Sequence, residues 1–82
     1  MPISAEEREK MQRVYSIGPK MVDYLERIGI ERLDDLRGGD ARELALRINA
    51  MLQRNHINTM GVRALEGLIE YANSTPMQPE GL

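Results

Sequence analysis

The 82-residue chain has no cysteine, no phenylalanine and no tryptophan, and its single histidine is His56. Without cysteine it forms no disulfide framework, and one histidine with no thiolate cannot assemble a Cys/His metal site. The core must therefore come from Leu, Ile, Val, Met and Ala, with help from Tyr15, Tyr24 and Tyr71. Residues 1–10 are charged rather than apolar, and no run reaches the roughly eighteen apolar residues of a membrane helix. Neither a signal peptide nor a transmembrane span is predicted, and a cytoplasmic location is the expectation. A chain of this length is one domain with a modest core and little room for a large buried active site.

Signatures of catalysis are missing as well. No phosphate-binding loop or dinucleotide fingerprint occurs, and Gly38-Gly39-Asp40 reads as a helix stop followed by a cap. Asp34 and Asp35 are adjacent, so on a helical turn their side chains diverge by about 100° and make a poor acid/base pair. The chain is thus expected to be non-enzymatic, with no cofactor, no metal and no small-molecule substrate.

What is present reads as five helical segments and no strand. Ser4 and Glu7 suit a capping box opening a first helix, with an apolar patch at Met11, Val14 and Tyr15. Pro19 opens a second helix carrying Met21, Val22, Leu25 and Ile28 on one face, and Gly29 ends it as a left-handed cap. Ile30, Leu33 and Leu36 suit a short connecting turn of helix. Asp40 and Glu43 form a second capping box before a helix through Leu44, Ile48, Met51 and Leu52. A polar break over 53–59 precedes a last helix with Val62, Leu65, Leu68, Ile69 and Ala72. The domain is expected over 1–73. Two prolines and the loss of apolar period predict a flexible tail over 74–82.

The most informative stretch is Ile17-Gly18-Pro19-Lys20. A glycine turn runs directly into a helix whose first residue is proline and whose second is lysine, so unpaired backbone amides and a cation point the same way. Lysine at a helix start opposes the macrodipole, which hints at an anionic partner. Setting 17–28 (IGPKMVDYLERI) over 60–71 (MGVRALEGLIEY) pairs Gly18 with Gly61 and Lys20 with Arg63, as if the halves were copies. Two such hairpins would share one side of the molecule.

Net charge is −2, which argues against a general nucleic-acid binder, yet the charges are unevenly spread. Between Glu9 and Asp23 stand only the cations Lys10, Arg13 and Lys20. Between Glu43 and Glu66 stand only Arg47, Arg54 and Arg63, with His56 beside them. An acidic body with two basic tips is the expected surface. Against this, Ser16 stands where a phosphate-gripping hairpin usually has a first glycine, and Asn58 or Thr59 would serve as an ordinary cap for the last helix. Gly67 in mid-helix suggests close approach of another helix, and Met11, Met21, Met51 and Met60 read as core filler.

The pattern Ile17-Gly18-Pro19-Lys20, Leu25, Gly29-Ile30, Leu33 and Asp35-Leu36 resembles helix-hairpin-helix domains of the SAM-like superfold. Ala64-Leu65-Glu66-Gly67 before Ile69 draws the likeness toward the C-terminal domain of the TfoX/Sxy competence regulators, over residues 11–73. The small pathogenicity-locus helix-hairpin-helix proteins are the second resemblance. Either implies an all-α, five-helix SAM-like fold with tandem helix-hairpin-helix units and, for the first, a bacterial setting in DNA uptake or repair. The functional expectation is a weak DNA-binding module that contacts backbone phosphates through Ser16, Ile17, Gly18, Lys20, Gly61 and Arg63. The alternative is a SAM-like protein–protein interaction module, homodimeric or with another partner, that binds no nucleic acid.

Overall fold

The structure, a computed structural model, describes residues 3–74. Among them are four α-helices, one 3₁₀ turn and no strand: α1 (Ala5–Gln12), α2 (Pro19–Arg27), the 3₁₀ turn (Leu33–Leu36), α3 (Ala41–Leu52) and α4 (Thr59–Ser74). The all-helical reading holds, with the short connecting segment as the 3₁₀ turn. The last helix extends to Ser74, one residue into the expected tail; residues 75–82 lie outside the described part of the chain.

Local chemistry accounts for the helix limits. The Ser4 hydroxyl accepts from the Glu7 amide, and the Asp40 carboxylate accepts from the Arg42 amide, so both predicted N-caps form. The reciprocal half of the first box does not. Glu7 turns away and accepts from the Leu33 amide at 2.7 Å, tying α1 to the 3₁₀ turn instead. At the end of α2, Gly29 has φ +99°, the Gly29 amide donates to Glu26 and the Ile30 amide donates to Leu25, the paired bonds of a Schellman motif.

The core is wholly apolar: every buried residue among those described is hydrophobic. Met11, Val22, Leu25, Leu36, Ile48, Leu65 and Leu68 are its fully enclosed large side chains. They come from all four helices and the 3₁₀ turn, so no single hairpin is a closed unit. α3 lies along α4, the 3₁₀ turn rests on α4, and α1 packs on α2. Tyr24 is buried, whereas Tyr15 is 91% exposed. The expectation of Tyr15 in the core fails because α1 stops at Gln12; the residue then sits in a turn and no longer follows the helical stripe of Met11.

Connecting segments are held by side chains from distant helices. Glu26 accepts from the Ile3 amide, Asn73 accepts from the Gly38 amide, and Arg47 donates to the Ile28 carbonyl at 2.7 Å, closing the end of α2 from α3. Arg8 adds an ionic link from α1 to Asp23 and Glu26 of α2. Asp35 accepts from the amides of both Glu31 and Arg32, shaping the entry to the 3₁₀ turn.

The glycines of α4 have opposite roles. A methyl group at Gly67 would meet the Val14 side chain at 3.6 Å, an ordinary contact, so the expected close helix approach is not what excludes a side chain there. At Gly61 the same group would lie 2.7 Å from the Ile57 γ-methyl, too near for a stiff β-branched neighbour. Gly67→Ala is expected to raise stability by about 1 kcal/mol in a denaturant titration, the helix-propensity gain with no clash. Gly61→Ala is expected to lower it by about 1–3 kcal/mol, as overpacking does.

Candidate nucleic-acid interface

The two helical hairpins are joined by loops of equal length, 13–18 between α1 and α2 and 53–58 between α3 and α4. The loops differ in how their backbone amides are satisfied.

In the first loop the Ile17 amide donates to the Val14 carbonyl at 3.1 Å, closing a turn with Tyr15 and Ser16 at its centre. Ser16 has φ +70°, the left-handed conformation that a glycine would take without strain. The turn thus keeps its glycine-type shape with a serine in it. Ile17 is buried and its amide is used by Val14, so it anchors the turn from inside rather than facing a ligand. Gly18 is the N-cap of α2, with φ −101° and ψ −178°, extended backbone open to any residue. A side chain there would meet nothing within 4 Å. Neither backbone conformation nor packing inside the chain requires this glycine.

No side chain caps α2. Pro19 at its first position lacks an amide, and those that follow face outward at the positively polarised helix end. Lys20, the second helical residue, is exposed and makes no hydrogen bond or ion pair among the described residues. The nearest acid on the helix, Asp23, is already paired with Arg8.

In the second loop and the start of α4, side chains occupy three backbone amides. Asn49 accepts from the His56 and Ile57 amides at 2.9 and 2.8 Å, and Asn58 accepts from the Gly61 amide at 3.1 Å. Asn58 is therefore the residue that matches Gly18, while Gly61 is the third residue of α4. The expected pairing of Gly18 with Gly61 is out of register. Matching helix starts instead sets Ile17, Val22, Leu25 and Glu26 over Ile57, Val62, Leu65 and Glu66, four identities. Gly61 has no free amide to offer, and Arg63 lies more than a turn inside α4, exposed and without a partner among the described residues.

The two basic tips are also thinner than the charge pattern predicts. Lys10 pairs with Glu7, which raises its affinity for the proton, and Arg13 is held in its charged form by Tyr71 and then Glu9. Arg47 is spent on the Ile28 carbonyl. Among the described residues, Lys20, Arg54 and Arg63 remain as the unpaired cations of the two acid-free stretches. His56, read from sequence as a plain loop residue, has its Nε2 3.3 Å from the Tyr24 hydroxyl with the rings edge-to-face. This contact lays the second loop against α2, one turn after Lys20 on the same helix stripe.

Two stability measurements check this account of the loops. Ser16→Gly should leave the protein equally or more stable, by up to about 1 kcal/mol, and Ser16→Val should lower stability by more than about 1 kcal/mol, since a branched side chain is strained at positive φ. Asn49→Ala should cost about 1–3 kcal/mol by leaving two loop amides without an acceptor.

The chain matches no protein-family model, and neither the curated proteins nor the solved structures yield a match.

Proposed function

We propose that the chain is a small, non-enzymatic DNA-binding module of helix-hairpin-helix type that grips backbone phosphates without strong sequence preference. The observation that carries this reading is the start of α2: an uncapped helix end, a glycine the fold itself does not require, and an unpaired lysine beside it. A phosphate would take hydrogen bonds from the outward amides, with Ser16 adding its hydroxyl and Lys20 its charge. Arg63 supplies a more distant cation. The second hairpin contributes less, because Asn49 and Asn58 already accept from three of its amides. The resemblance to helix-hairpin-helix domains favours the same ligand, and the likeness to the competence-regulator domain a bacterial role in DNA uptake or repair.

A single open hairpin makes few ionic contacts, so isolated affinity falls on the order of 10⁻⁴ to 10⁻⁶ M and weakens steeply with salt. Nothing on α2 suits the reading of base edges, so substrates of different sequence bind alike. The test is a fluorescence-anisotropy titration of a labelled duplex at low and at physiological salt. Lys20→Glu should weaken binding and flatten the salt slope by about 1, and Arg63→Glu should weaken it less. Neutralising Arg27, at the far end of α2, should change nothing. Binding that is absent, or indifferent to Lys20→Glu, overturns the reading in favour of a SAM-like protein-interaction module.

A further inference from the structure

The start of α4 puts Met60 where α2 has Lys20, and Met60 is 75% exposed, so the expectation of Met60 as core filler fails. A contact from the second hairpin to an anion held at α2 must therefore come from its loop. That loop carries the single histidine of the chain. His56 is exposed, its Nε2 meets the Tyr24 hydroxyl, and its Nδ1 has no partner among the described residues.

Two attachments fix where this ring stands. Asn49 of α3 accepts from the His56 amide at 2.9 Å, and Tyr24 of α2 holds the ring edge-to-face with centroids 5.5 Å apart. Side chains on a helix lean toward its N-terminus, so the Tyr24 ring, rooted one turn after Lys20, reaches back over the Lys20 turn. His56, met at the hydroxyl end of that ring, is thereby carried toward the start of α2. In the register set by the helix starts it also stands where the first loop has Ser16.

We infer that His56 is a second, proton-gated phosphate contact of the nucleic-acid site at α2, so that a duplex is held more tightly as the pH falls. The inference rests on the phosphate-binding reading of that helix start. A neutral imidazole brings no charge, whereas the protonated ring donates from both nitrogens: Nε2 keeps the Tyr24 oxygen and Nδ1 is left for a phosphate oxygen.

The neighbours of His56 give the effect its sign. The Tyr24 stripe of α2 carries the cations Lys20 and Arg27, the loop itself carries Arg54, and Arg47 of α3 closes the end of α2. Asp23 and Glu26, the acids of α2, are engaged by Arg8 of α1, and α3 has no acid after Glu43. No carboxylate forms an ion pair with His56 among the described residues, so the protein supplies no counter-charge for a proton there. A bound phosphate does. Protonation and binding are thus linked, each favouring the other.

The test is the affinity of the full chain for a labelled duplex at pH 6 and at pH 8, the range over which imidazoles change charge. The parent should bind about two- to fivefold more tightly at pH 6, the worth of one exposed ion pair. His56→Gln, which keeps an amide for the Tyr24 hydroxyl, should bind alike at both and keep the parent's helical spectrum. Lys20→Glu should weaken binding at both. The ring C–H signals of His56, unambiguous in a chain with one histidine, should titrate at higher pH with duplex than without it. Binding that falls with Lys20→Glu yet is equal at the two pH values, or a pH dependence that survives in His56→Gln, overturns this inference and leaves the α2 reading standing. No binding at either pH overturns both.

Discussion

The fold depends on side chains of the helices satisfying backbone groups of the segments between them. The core is small and entirely aliphatic apart from Tyr24, and its packing alone does little to fix where connecting backbone lies. Glu7 holds the Leu33 amide, Glu26 the Ile3 amide, Asn73 the Gly38 amide and Arg47 the Ile28 carbonyl, each across a long stretch of sequence. Each bond contributes modestly while made; at the part-buried Ile3 and Leu33 amides, losing the acceptor would cost more than the bond returns, whereas solvent reaches the Gly38 amide and the Ile28 carbonyl. This asymmetry turns a set of short, individually marginal helices into one arrangement.

Against that pattern the start of α2 stands out by contrast with its neighbours. Ser4, Asp40 and Asn58 cap the other three helices with their own side chains. α2 instead begins at a bare Gly18, after a turn in which Ser16 is held at positive φ. The strain at Ser16 is offset by the buried Ile17, which locks the turn from below, and by the bond from its amide to Val14. Internal satisfaction stops where solvent, or a ligand, is left to complete the helix end.

Much of the architecture was legible in short-range chemistry. Pro19, Gly29, Ser4 and Asp40 mark helix limits through φ restrictions and caps that act over a few residues, and each does so in the structure. The stripes through Val22, Leu25, Ile48, Leu65 and Leu68 give the buried faces for the same reason. The site was less legible. Matching Gly18 to Gly61 follows residue identity, but helix position is set by the cap, and Asn58 rather than Gly61 provides it. Glu7 and Asn49 carry no local sign of their targets, since Leu33 and the second loop reach them only after the chain has folded back. The paired state of Lys10, Arg13 and Arg47 was hidden likewise, so a count of cations overstated the available charge.

The corrected register explains how two similar hairpins come to present different surfaces. Aligned by their helix starts, they share Ile, Val and Leu at the positions packed on the core, Ile17 with Ile57, Val22 with Val62 and Leu25 with Leu65, although Ile57 and Val62 are half-buried where Ile17 and Val22 are enclosed. They diverge at the positions that face outward. Where the first has Gly18 and Lys20, the second has Asn58 and Met60, so a polar cap replaces a bare amide end and an exposed thioether replaces a charge. Such exchanges leave the interior untouched because they lie outside it. The His56–Tyr24 contact lays the loop of the second hairpin on the helix of the first, so the two surfaces share a scaffold while the backbone chemistry at each remains separate.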